Sequence, residues 1–271
     1  METSKNNPLT LPMAIVIAGL LIAGAIFVRG NETSPSKAVE KGRVAVQSPP
    51  VLGALTLNPV DETRDHIRGN PGADIVFVEF SDTECPFCKR FHATMQQVIN
   101  EYGKSGKVAW VYRQFPIVQL HSRAPKESEA MECAAEVGGN AKFWEYADRL
   151  FAVTNSNNSL DPGVLPQIAT EVGLNKTSFT DCLSSGRTQA RIKVDQEDGR
   201  RAGINGTPHS ILVLKNPISE KGRKAILDLM EQYRDPEGNL PVEFSLDGLR
   251  VSLNGALPFP IIKTTIEAIL K

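Results

Sequence analysis

The sequence predicts an α/β domain, with helices packed on a small sheet, set behind one transmembrane helix. Three observations carry this. A strand–helix–strand unit runs from Ile75 to Tyr112, helical character fills about Ser122 to Ala202, and strand character returns at Ser210 before a closing helix. The first unit favours a parallel strand pair with a right-handed crossover. Helices layered on a sheet are then the stable way to cover its apolar faces. The 271 residues, 41% of them hydrophobic, suffice for one sizeable core plus accessories.

Residues 1–10 form a short tail. Leu11 to Val28 is apolar and uncharged, broken only by small residues and Pro12. Its length is close to the ~20 residues a helix needs to cross a bilayer. A cleaved signal peptide has a shorter apolar centre, roughly 7–15 residues, and a small-residue cleavage site. Ala23-Gly24-Ala25 is such a site but lies inside the run. Residues 11–28 are therefore expected to be an uncleaved anchor, with a signal segment as the alternative. Lys5 precedes the run, whereas Arg29, Lys37, Lys41 and Arg43 follow it. By the positive-inside rule alone, that puts the long domain in the cytoplasm. The cysteine chemistry described below suits an oxidising compartment instead. The two signals conflict, and the expectation follows the cysteines: a single-pass anchor in the cell membrane, with the domain extracytoplasmic. Residues 29–57, rich in Ser, Pro, Lys and Gly, read as a flexible linker. The folded domain is expected over 58–271.

Ile75 to Phe80 is a β-rich apolar run between Pro71-Gly72 and Ser81-Asp82, and reads as a central buried strand. In Lys89 to Tyr102, residues Phe91, Met95, Val98, Ile99 and Tyr102 form one helical stripe, which Gly103 ends. Val108 to Tyr112 is a second strand. A helical insert, about 117–203, follows, with segments at 130–137, 142–151, 165–172 and 188–202 broken by Gly-Gly, Asn-rich and Pro-Gly turns. Its cluster Glu197-Asp198-Gly199-Arg200-Arg201 mixes both signs and reads as a solvated helix face. With a net charge of -1, nothing resembles the basic stripe of a nucleic-acid binder, and no nucleic-acid partner is expected. Ser210 to Leu214 is a strand. The polar stretch 216–240 is expected to hold a short helix at 224–233 before a strand at 249–253, making a hairpin. Ile261, Ile262, Thr265, Ile266 and Ile269 share a face of the closing helix, 260–270.

The chain has four cysteines: Cys85, Cys88, Cys133 and Cys182. An even count permits two disulfides, which a chain this long does not need for folding, so one pair is expected to do chemistry. Cys85-Pro86-Phe87-Cys88 stands directly after a strand and at a helix start. A helix amino terminus offers free N–H groups and partial positive charge, which stabilise a thiolate and make it reactive. Cys85, at the exposed end, is the nucleophile; Cys88, a turn later and more buried, resolves the mixed disulfide. Pro86 suits the first helical turn, where its missing N–H costs nothing. Cys85, Cys88 and His92 also have metal-ligand spacing, but no second Cys or His pair lies at a fitting distance, and no metal is expected. Gly206-Thr207-Pro208 precedes the later strand, where a proline marks a turn or a cis peptide.

The run Glu79-Phe80-Ser81-x-x-x-Cys85-Pro86-x-Cys88, the helical insert and Gly206-Thr207-Pro208 together resemble the DsbA-like thiol:disulfide oxidoreductases of bacterial cell envelopes. Asp65 to Gly69, Tyr112 to Pro116, Phe143 to Tyr146 and Asn254 to Ala256 fit the same group, so the resemblance covers about 61–271. It implies a thioredoxin-like fold with an inserted helical subdomain. It implies that Pro208 is the cis proline packed against the cysteines. Thr207 would then offer its backbone to an extended substrate by strand addition, with Pro86 and Phe87 also at the substrate surface. Glu79 matches a buried acid of the family. Burial raises a carboxyl pKa, and such an acid can relay a proton to or from Cys88; the alternative is a strand-end residue reaching solvent. Cys133 and Cys182 match a second pair found in some members and are expected to tie two helices of the insert. The alternative is two buried free thiols.

The best-studied strong oxidases have histidine where Phe87 stands, so the redox potential does not transfer. His209 is either near the cysteine pair or an ordinary strand residue. The resemblance implies an oxidase of cysteine pairs in exported proteins, with no cofactor beyond the Cys85–Cys88 disulfide, reoxidised by a quinone-linked membrane partner. A monomer is expected, because the segment before Asn58 does not look like a dimerisation domain. The alternatives are a reductase or isomerase on the same site, and a metal-binding or chaperone module.

Overall fold

The computed structural model describes residues 55–271; the expected anchor at 11–28 and nearly all of the linker lie outside them. Among the described residues, no helix is long and apolar enough to cross a membrane. Leu55 and Leu57, assigned to the linker from sequence, are buried.

The sheet has six strands: β1 (His66–Arg68), β2 (Ile75–Ser81), β3 (Val108–Gln114), β4 (His209–Leu214), β5 (Val242–Phe244) and β6 (Arg250–Asn254). Their spatial order is β1-β3-β2-β4-β6-β5. β2 and β3 are the parallel pair, and every other neighbour is antiparallel. All seven residues of β2 are buried, as its unbroken apolar run requires for a strand covered on both faces. The two-residue period sorts them. Ile75 and Phe77 enter the larger core, while Val76, Val78 and Phe80 enter a second core on the opposite face. Glu79 therefore shares the face of Ile75 and Phe77.

The larger core lies under α1 (Pro86–Val98), α2 (Ala124–Val153), α3 (Leu165–Glu171), α4 (Lys176–Ser185), α6 (Glu220–Met230) and α7 (Phe259–Ile269). α1 buries Cys88, Phe91, Met95 and Val98 and runs into a wide turn, Ile99–Gly103, that ends where Gly103 was expected to stop it. α2 joins two helical stretches at Gly139, whose φ of 78° only glycine takes easily. The hairpin of β4 and β6 forms around α6 and the short β5.

Several elements differ from the sequence reading. β1 was not expected; three residues are too few to show a period. α4 was missed, although Asn175 caps it by accepting the Ser178 N–H at 2.9 Å and Gly186 closes it at φ 66°. α6 starts at Glu220 because Ser219 accepts the Gly222 N–H at 3.1 Å.

The reading of Glu197–Arg201 as a solvated face holds for Glu197, Arg200 and Arg201, which are exposed, and is corrected for Asp198 and Gly199, which are buried. These residues lie on α5 (Gln189–Arg201), which covers the second core. Asp198 is fully buried against the equally buried Arg113 of β3, Nη1 donating at 2.5 Å. Gly199 lets the helix approach: a Cβ there would stand 2.7 Å from Phe115 and 2.9 Å from Phe80.

Candidate active site

β2 ends at Ser81, the chain turns through Asp82 to Glu84, and α1 begins at Pro86. Cys85 is the N-cap, in extended conformation. Its N–H donates to the Asp82 carbonyl at 3.2 Å, and its carbonyl accepts the Lys89 N–H at 3.1 Å. Its sulfur donates to the Thr207 carbonyl at 3.4 Å, and the peptide from Thr207 to Pro208 is cis. The structure thus brings together two segments 122 residues apart. Cys88, one turn on, is fully buried, and its sulfur accepts the Asp82 N–H at 3.4 Å. Both cysteines are free thiols.

The two thiols are unequal. The Cys88 thiol hydrogen bond, followed by the Cys88 N–H, Thr207 and the Phe87 N–H, outweighs burial and lowers the Cys85 pKa from 9.0 to about 6. Burial, the bond to Cys85 and the charges of Cys85 and Glu79 push the Cys88 thiol well up. An attacking thiol with a pKa near ambient pH and a resolving thiol kept protonated suit two-step exchange.

Glu79 is fully buried and does not reach solvent. Oε2 accepts the Trp110 indole N–H at 2.8 Å, and Oε1 has no partner. Burial raises its pKa from 4.5 to about 7, against which the Trp110 hydrogen bond acts only in part. Its charge is one of the causes that raise the Cys88 thiol.

The other residues singled out from sequence fall as follows. Pro86 occupies the first turn of α1, and Phe87 is 53% exposed with the Arg90 guanidinium 4.9 Å above its ring. His92 Nε2 meets Asp148 at 2.8 Å, and its ring stacks on Phe151. His209 is the strand residue opposite Phe80, with Nε2 at 2.7 Å from the Ser252 hydroxyl. Cys133 and Cys182 form a disulfide between α2 and α4, their Cα atoms 5.7 Å apart.

Sequence reasoning missed Asp82. Its buried carboxylate accepts the Glu84 N–H at 2.9 Å, the Ile117 N–H at 2.7 Å and a bond with His121 Nδ1 at 2.9 Å. It thereby fastens the cysteine loop to the segment that exposes Val118 and Leu120. Its place three residues before Cys85 was the available signal.

This is a redox site of the thioredoxin type, and comparison with known proteins agrees. A family model described as thioredoxin matches residues 61–228. The chain belongs to this thioredoxin family. Its fold is DsbA-like. Pseudomonas aeruginosa DsbA2 matches at TM-score 0.53 and 22% identity, over 75% of this chain and 93% of that one. Wolbachia pipientis alpha-DsbA1 matches at 0.56 and 20%, over 78% and 92%. Oxidised BdbD from Bacillus subtilis matches at 0.52 and 18%, over 60% and 90%. With the cysteine pair, this is the equipment of a thiol:disulfide oxidoreductase.

Curated relatives carry a different name. Na(+)/H(+) antiporter NhaA 1 of Mycobacterium sp. (strain KMS) is 35% identical over 164 residues, 59% of this chain and 25% of that protein. NhaA 3 of Salinispora tropica is 33% identical over 150 residues, 55% of this chain and 22% of that protein. The chain spans about a quarter of the length of these relatives.

Proposed function

We propose that the chain is a membrane-anchored, extracytoplasmic oxidase of cysteine pairs in exported proteins. The observation that carries this reading is the split between the two sulfurs, Cys85 lowered to about 6 and Cys88 sealed and raised. In the oxidised form a substrate thiolate attacks Cys85 Sγ. The Cys85–Cys88 bond breaks, and its electron pair leaves on Cys88. That buried sulfur needs a proton, and Glu79 is the neighbouring acid able to supply it. A second substrate thiolate then attacks the substrate sulfur of the mixed disulfide. The substrate disulfide forms, and Cys85 leaves as a thiolate with two electrons now held by the pair. A low leaving-group pKa speeds that departure, and a stabilised thiolate favours the reduced enzyme, as an oxidant requires.

The substrate segment would lie along Thr207 in extended form, with Phe87, Val118 and Leu120 as apolar contacts. Reoxidation passes the two electrons to a quinone-linked membrane partner, as the DsbA-like resemblance implies. The apolar segment 11–28 supports a membrane setting. So does the name of the relatives, since an ion antiporter works across a membrane. Phe87 favours a second reading, reductase or isomerase on the same site, because it offers the Cys85 thiolate no polar side-chain partner.

Mixing the reduced Cys88→Ser form with an oxidised peptide should trap a mixed disulfide at Cys85; its absence would contradict the assignment of the nucleophile. Protease added to cells stripped of their outer barriers should remove the domain, and protection would contradict the outward placement.

A further inference from the structure

Glu84 stands immediately before Cys85 and is fully buried. Its carboxylate accepts the Asn158 N–H at 2.6 Å, the Leu160 N–H at 3.3 Å and the Ser159 N–H at 3.4 Å. Its backbone carbonyl accepts the Asn157 N–H at 2.8 Å. All four donors come from one loop of the helical insert, more than seventy residues downstream. That loop is built for the purpose. Ser156, Asn157 and Asn158 take φ of 64°, 55° and 62°, three successive residues in the left-handed region. Such a run is disfavoured in L-residues and turns neighbouring N–H groups toward one point, a concavity that suits an anion. The Asn158 side chain also holds the Leu120 carbonyl at 3.0 Å, joining this loop to the one that Asp82 grips.

Glu127, in the first turn of α2, is buried against the same carboxylate. The three N–H donors hold the Glu84 side chain against the loop. Burial and the bond to Glu84 push the Glu127 pKa up to about 9. The other titratable and charged groups nearby are accounted for. Asp82 is taken by two N–H groups and His121, Tyr146 on α2 is pushed well above its ordinary range, and Arg123 holds the Leu160 carbonyl at 2.5 Å.

We infer that Glu84 is a positioning residue, clamped by the 156–160 loop, through which the helical insert fixes the peptide that carries Cys85. The inference rests on Cys85 being the exchange nucleophile. Ionisation of Glu127, which lies beside the clamp with its pKa pushed up to about 9, would add a negative charge there and loosen it in alkaline solution.

The test is the pH profile of Cys85 alkylation by iodoacetamide in the reduced full chain, for wild type, Glu84→Ala and Glu127→Gln. Wild-type reactivity should rise through about pH 6, level off, and fall several-fold above about pH 9, in step with the two ionisations. Glu127→Gln keeps a donor to Glu84 but cannot ionise; it should follow wild type to neutrality and lose the alkaline fall. Glu84→Ala should react about 10-fold more slowly at every pH, since a small misplacement of a reacting group costs this much. An alkaline fall that persists unchanged in Glu127→Gln overturns the clamp, whether or not Glu84→Ala folds. So does a folded Glu84→Ala with the wild-type profile. If Cys85 reacts only as an ordinary thiol in all three forms, the nucleophile assignment fails and the clamp with it.

Discussion

The two faces of the sheet bury their charges differently. On the face away from the cysteines, Arg113 is matched almost bond for bond. Nε and Nη2 donate to the two Asp65 oxygens at 3.0 and 2.8 Å, Nη1 donates to Asp198 at 2.5 Å, and the Asn58 and Pro59 carbonyls take further donors. On the cysteine face, Glu79 has one donor and a bare oxygen. A fully paired buried charge is locked in one state, whereas an under-paired acid is held near the point where its proton comes and goes. The first arrangement fixes geometry, joining α5 and residues 58–65 to β3. The second leaves a carboxyl whose pKa is raised to about 7 on the sheet face that carries the cysteines.

The comparison can be broken from either side. The largest effect is expected for Cys85→Ala, which should lower thiol oxidation by at least about 1000-fold while the fold survives, since the nucleophile of a covalent mechanism has no substitute. Retained turnover in an oxidation assay would sink the reading. On the opposite face, Asp198→Ala leaves Arg113 with an uncompensated charge and should cost about 3–5 kcal/mol by urea unfolding. Little effect on exchange by the surviving folded fraction is expected. Removing the Cys133–Cys182 disulfide as a double alanine variant opens a loop whose ends are 49 residues apart and should cost about 3–4 kcal/mol.

Glu79→Gln has the smallest and most informative effect. The folded pKa of Glu79, about 7, lies above its ordinary 4.5, so the folded chain holds the extra proton in that window. Stability therefore falls as pH rises from 4.5 to 7 and stays reduced above. Glutamine removes that loss, so the variant should gain about 1–3 kcal/mol near pH 8 and nothing near pH 4, while exchange slows. Equal changes at both pH values would mean that Glu79 does not titrate in the fold as described.

Much of this was legible in the sequence, for identifiable reasons. The DsbA-like resemblance gave Glu79 its burial, on a strand whose apolar run already read as buried. Cys85-Pro86-Phe87-Cys88 at a strand-to-helix junction marked the reactive end, and Thr207-Pro208 its distant partner. The cap residues Asn175 and Ser219 were present and went unread, so α4 was missed and α6 placed too late. Asp82, Glu84 and Asp198 were hidden for a different reason. Each is an acid in a polar stretch, where solvation is the ordinary outcome, and their partners lie 35, 74 and 85 residues away in sequence. Only the fold brings Arg113 to Asp198, or a left-handed loop to Glu84.

The most direct test of the central claim is the reduction potential of the Cys85–Cys88 pair, measured by equilibration with glutathione. An oxidase built on a stabilised Cys85 thiolate should lie at the oxidising end of the thioredoxin-fold scale, roughly −120 to −180 mV. A value near −270 mV, where thioredoxin itself lies, would contradict it and make the chain a reductase.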